Sequence, residues 1–117
     1  MKLPNEIEEG NIEYKLKIIP EKLNRLVSLS SQLIWRCNEG RGMAIYFLGI
    51  TDNGEMIGIT KKELDISIRN LSKIVSENSY QILKKEIYRL NTDKLWANII
   101  IINPSYSPIF NNISLLD

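Results

Sequence analysis

The sequence predicts an α/β fold of the α+β kind: a two-layer sandwich in which a mixed sheet of about five strands carries two helices on one face. Three observations lead there. Short β-branched or alternating runs interleave with two stretches of helical periodicity, which is the pattern of a sheet with helices packed on it. An Asn53-Gly54 turn between two apolar runs is a hairpin signal, so at least one neighbouring pair of strands is antiparallel and the sheet is mixed. The chain has 117 residues, 44% of them hydrophobic and 25% charged, enough for one modest core and too few for two. Two helices cover only one face of such a sheet, so the other is left for a partner or ligand.

The elements follow in the order β-α-β-β-α-β-β. Residues 11–18 alternate, with Ile12, Tyr14, Leu16 and Ile18 on one face and Glu13, Lys15 and Lys17 on the other. This is a half-buried strand, and the charged set is expected on the uncovered face. Pro20 ends it and suits the first turn of the next helix, where its missing N–H has no partner to lose. Over 21–38, Leu23, Leu26, Val27, Leu33, Ile34 and Cys37 recur at helical spacing. Gly40 and Gly42 then stop the helix. Residues 43–51 are apolar on both faces and read as a central strand. The turn at Asp52-Asn53-Gly54 leads into a returning strand at 55–59.

Thr60-Lys61-Lys62-Glu63 has the form of a capping box, with threonine and glutamate each satisfying an orphan backbone donor. It opens a second helix, whose apolar positions Leu64, Ile68, Leu71 and Val75 carry it to about Glu77. Residues 80–90 mix both periodicities and are read as a strand. Residues 95–102, LWANIIII, are a buried strand. The domain is expected to span 1–103, with 104–117 a loop or the start of a linker.

Composition removes whole classes of chemistry. There is no histidine, which excludes the Ser-His-Asp and Cys-His nucleophiles and every His-ligated metal site. A lone cysteine, Cys37, allows neither an intrachain disulfide nor a multi-cysteine zinc site, and on the apolar helix stripe it is expected to be buried and inert. None of the six glycines is followed by lysine, so the phosphate-cradling GxxxxGKS/T loop is missing, as is GxGxxG. The net charge of +1 gives no electrostatic reason for nonspecific nucleic-acid or membrane binding. With no secretion signal and no run long enough to span a bilayer, the expectation is a soluble, cytoplasmic chain.

Three segments carry a family resemblance: LPNEIEEGNIEYKLKI at 3–18, SQLIWRCNEGRGMAIYFLGITDNGEMIGI at 31–59, and the helix start TKKEL at 60–64. They resemble the region preceding the G domain in the GTP-binding protein 1 and 2 family, translational GTPases related to the elongation factors that deliver tRNA. Met43 stands where that family has glutamate. The resemblance implies an N-terminal accessory domain without catalysis of its own. GTP and Mg²⁺ would belong to a G domain elsewhere in the parent. The implied partners are that G domain and the ribosome or RNA, with no membrane and no DNA.

A more distant likeness is to the Schlafen and AlbA-type core fold. Glu13-Tyr14-Lys15 resembles its "EFK", and Gly49 to Gly54 followed by Gly58 resembles its glycine-bearing strand. In the nuclease members two glutamates five apart and one aspartate bind a metal, which implies Glu8, Glu13 and Asp52 here. Three converging carboxylates repel one another unless a hard cation neutralises them, and that cation activates water for phosphodiester cleavage. Against this stands the reading of Glu8 as a solvated loop charge, Glu13 as part of a wet sheet face and Asp52 as a turn former. Lys15, Lys17, Arg36 and Arg41 are the candidate contacts to RNA or another partner, with Tyr14, Trp35 or Tyr46 for stacking. A plain alternative is that the lysines keep a sheet face soluble. Trp96 is expected in the core. Two functions from different classes therefore stay open, an accessory domain of a translational GTPase and a metal-dependent ribonuclease module.

Overall fold

Two helices lie on one face of a four-stranded mixed sheet in this computed structural model, which describes residues 2–19 and 23–106. The elements run β1 (Ile12–Lys15), α1 (Leu23–Glu39), β2 (Met43–Leu48), α2 (Lys61–Glu77), β3 (Gln81–Arg89) and β4 (Leu95–Ile102). The strands lie in the order β1-β2-β4-β3. A crossover through α1 makes β1 and β2 parallel, whereas β2–β4 and β4–β3 are antiparallel. The start proposed for α1 at residues 20–22, and the tail from 107 onward, lie outside the described residues.

The sheet has four strands, not about five, because the returning strand expected at 55–59 does not form. The turn itself is present: Gly54 N–H donates to the Thr51 carbonyl at 2.8 Å, and Thr51 N–H to that of Glu55 at 3.0 Å. Beyond it only isolated bridges pair the segment, Lys2 with Glu55, Ile50 with Met56 and Ile59 with Leu95. Gly49 and Gly58 explain the break. Both have positive φ, +87° and +77°, a conformation that interrupts a ladder and suits glycine. They also touch: a Cβ on Gly49 would stand 3.2 Å from the Gly58 Cα and 3.0 Å from the Leu95 carbonyl oxygen.

The core lies between helices and sheet. Leu29, Leu33 and Cys37 of α1 and Leu64, Leu71, Ile74 and Val75 of α2 meet Ala44, Tyr46 and Leu48 of β2 and Ala97, Ile99 and Ile101 of β4. The buried stripe of α1 runs through Leu29, Leu33, Arg36 and Cys37, while Val27 and Ile34 of the expected stripe face outward. Burial of a full aliphatic side chain stabilises by about 1.5–3 kcal/mol, so this shared layer is the main driving force for the fold. The capping box forms as expected. Glu63 N–H donates to Thr60 Oγ1 at 3.1 Å, and Thr60 N–H donates back to Glu63 Oε1 at 3.0 Å.

Register corrects the assignment of faces on β1. Glu13 lies beside Tyr46 and Lys15 beside Leu48, which point to the helices, while Ile12 and Tyr14 lie beside Ile45 and Phe47 on the open face. Alternation separates two faces without saying which one the helices cover. Here α1 supplies a buried arginine that makes the charged face the inner one. Trp96 is corrected too. It lies between the partly buried Leu95 and the buried Ala97 but faces the open side, half-buried. After Lys15 the alternation stops, and Ile18 is held by α2: its N–H donates to Ser67 Oγ at 2.9 Å and its carbonyl accepts from Asn70 Nδ2 at 2.8 Å.

Candidate functional site

Glu13 and Arg36 form the polar centre of the molecule. Arg36 Nε stands 2.8 Å from Glu13 Oε1, with Glu13 1% and Arg36 4% exposed. Lys15 Nζ lies 3.5 Å from the other oxygen of the same carboxylate. Two charges taken this far out of water are tolerated only as a pair whose remaining hydrogen-bonding capacity is also met. Arg36 meets it through the backbone: Nη1 donates to the carbonyls of Glu8, Glu9 and Gly10 at 3.1, 3.2 and 2.8 Å. One guanidinium therefore closes the helix layer onto β1 and fastens the segment that leads into it. Further bonds tie that segment to the 52–54 turn, Leu3 N–H to the Gly54 carbonyl at 2.7 Å and Glu6 N–H to that of Asp52 at 2.8 Å.

Glu6 completes this centre. Its carboxylate accepts the Tyr14 N–H. Burial pushes it up from 4.5 to about 7, with the negative charges of Glu13 and Asp52 adding to the rise and the Tyr14 N–H opposing it. The Tyr46 hydroxyl is buried among the same groups and makes no hydrogen bond among the described residues. Burial first, and Glu13 second, hold its proton far more tightly than in water. Burial likewise raises the Cys37 thiol to about 11, so it is fully protonated and poorly nucleophilic near neutrality.

Of the candidate metal ligands, Glu13 and Asp52 share a neighbourhood, but the carboxylate beside them is Glu6. Glu8 contributes its backbone carbonyl to Arg36 and leaves its side chain exposed. Among the described residues no group of three histidine, cysteine or acidic side chains is arranged to hold a metal ion. Glu13, the centre of the expected triad, already has its charge balanced by Arg36 and Lys15.

The four candidate cations do not form one patch. Lys15 and Arg36 are turned inward on Glu13. Lys17 reaches across to Glu63 at 3.0 Å, and Arg41 sits exposed in the α1–β2 turn at φ +54°. Among the proposed stacking residues Tyr46 and Tyr14 are buried, and Trp35 is partly exposed on α1. Glu63 in turn is held down to about 2, chiefly by the Thr60 backbone N–H and then by Lys17 and the Thr60 hydroxyl.

The open sheet face carries a feature the sequence reading missed: one aromatic ring from each strand, set in a row. Tyr14 and Phe47 meet edge to face at 5.7 Å between centroids, Phe47 and Trp96 lie parallel at 6.3 Å, and Trp96 and Tyr88 stack at 4.5 Å. Each such pair contributes about 0.5–1.5 kcal/mol beyond area burial. Ile12, Met43 and Tyr88 leave this face partly exposed. A cavity of about 270 Å³ opens beside it, between Tyr14, Ile12 and the segment around Glu6 and Ile7. The signal available in sequence was the spacing of Tyr14, Phe47, Tyr88 and Trp96 once register is known, and register is not legible from one strand at a time. Arg36, expected as a contact to RNA or another partner, is instead the buried counter-ion of Glu13.

Comparison with known proteins gives two relatives. The chain is 41% identical over 75 residues, 64% of its length, to GTP-binding protein 2 of mouse and equally to that of human. This bears out the resemblance to the GTP-binding protein 1 and 2 family. The chain spans 12% of the length of either relative. No family model matches the chain, and no solved structure matches it.

Proposed function

We propose that this chain is an accessory domain, without catalysis of its own, of a GTP-binding protein related to translation elongation factors. In this reading GTP and Mg²⁺ are bound by a G domain elsewhere in the parent, and this domain helps to seat that G domain on its ribosomal or RNA partner in the cytoplasm. The kinship with GTP-binding protein 2 supports the context. A phosphate loop is missing from these 117 residues, which supports assigning nucleotide to other parts of such a parent.

The observation that carries the non-catalytic reading is the burial of Glu13 against Arg36. A metal-binding carboxylate must offer lone pairs to a cation at an accessible position. Glu13 spends one oxygen on a guanidinium and the other near Lys15, and its work is to hold β1, α1 and the 8–10 backbone together. The ribonuclease reading would need that pair to open. Calorimetric titration with Mn²⁺, alongside RNA cleavage by the chain and by Glu13→Gln, decides between them. The expected result is no saturable heat and no cleavage by either protein. Metal-dependent cleavage by the chain that disappears in Glu13→Gln would replace the accessory reading with the nuclease.

A further inference from the structure

Among the described residues strand β3 is an edge: only β4 pairs with it, and no backbone group bonds to its outer side. It has nine residues, QILKKEIYR, with Leu83 60% and Ile87 47% exposed. A long edge with exposed apolar side chains is a template for another strand, and proteins usually blunt it with lysine. One of its two lysines is answered within the strand. Lys84 and Glu86 stand on the same sheet face, 3.5 Å apart between Nζ and Oε2.

We propose that β3 pairs antiparallel with β3 of a second copy about a two-fold axis at Lys85, joining two sheets into one of eight strands. Directly opposed residues in an antiparallel pair lie on the same face. In this register Lys84 therefore faces Glu86 of the second copy, and Glu86 faces its Lys84. Leu83, which the bulge between Ile82 and Lys84 leaves out of the β4 ladder, meets Ile87 of the copy. The two charge pairs and two apolar pairs outnumber the single Lys85–Lys85 opposition at the axis. A net charge of +1 per chain adds almost no long-range repulsion between copies. The charge pattern selects a second copy over an arbitrary strand, because KKE reads as its own complement when reversed about Lys85.

Sedimentation equilibrium on the folded 117-residue chain tests this, with circular dichroism checking the fold of each variant. The wild type dimerises at concentrations up to about 1 mM, within the range of a small specific contact. Lys84→Glu and Glu86→Lys each raise the dissociation constant by about tenfold, since each turns both cross-pairs into like-charge oppositions. The double swap restores the wild-type value, and Leu83→Lys weakens the dimer without disturbing the fold. A monomeric wild type, a dimer indifferent to the single swaps, or a double swap that fails to restore association would each overturn the proposal. So would a dimer lost on Ile100→Lys alone, which would move the contact to the open face.

Discussion

Replacing Arg36 by methionine puts the buried ion pair to the test. The substitution keeps a long apolar stem and removes the guanidinium, so Glu13, 1% exposed, loses its partner at 2.8 Å and keeps only Lys15 at 3.5 Å. Removing one member of a buried pair costs about 3–5 kcal/mol. The three carbonyls of residues 8–10 lose their shared donor as well, although at a part-buried position water replaces much of that. A total of about 3–5 kcal/mol is a large share of the 5–15 kcal/mol typical of whole domains. For a chain of this size it corresponds to a fall in Tm of about 12–20 °C. Urea unfolding followed by tryptophan fluorescence and circular dichroism measures it. The double variant Arg36→Met with Glu13→Gln removes the stranded charge, so its loss falls well short of the sum of the two single losses. A single-variant loss under about 1 kcal/mol, or strict additivity in the double, would refute the assignment of Arg36 as the central tie.

Three further outcomes follow from the same structure. Glu6 titrates at about 7 in the fold against 4.5 unfolded, so the folded state binds its proton more tightly. The stability gained from this is fully present below pH 4.5 and is lost as pH rises towards about 7; urea midpoints across that window fall for the wild type and flatten in Glu6→Gln. Ser67→Ala leaves the Ile18 N–H without its acceptor at a buried position and costs about 1–3 kcal/mol in urea unfolding. Thr60→Ala removes the capping hydroxyl and costs about 1 kcal/mol; it also releases Glu63 towards the ordinary carboxylate range, which NMR titration of the Glu63 side chain detects.

The helices were legible because their signals are local: Thr60 and Glu63 cap α2 through bonds within four residues, and the Leu64–Leu71–Val75 stripe points one way whatever the tertiary context. The strands were legible as runs and less so as partners. Residues 55–59 have the composition of a strand, yet their place is decided by contact between Gly49 and Gly58, well before the chain reaches Leu90 and Leu95, which also pack there. The site was hardest. Glu13 alternates with Tyr14 in either reading, and only the docking of α1 decides which faces inward. Its counter-ion lies 23 positions away, and Glu6, the carboxylate nearest to it in function, carries no motif. The likeness to GTP-binding protein 2 was legible because it resides in contiguous blocks, which survive where long-range geometry cannot be read.

In the accessory-domain reading nucleotide is handled outside these residues. Titrating the purified chain with a fluorescent GTP analogue in the presence of Mg²⁺ measures that directly. The predicted result is an anisotropy that stays flat to about 1 mM nucleotide, the weak limit of specific binding. Saturable binding at about 1 μM with one nucleotide per chain would contradict it.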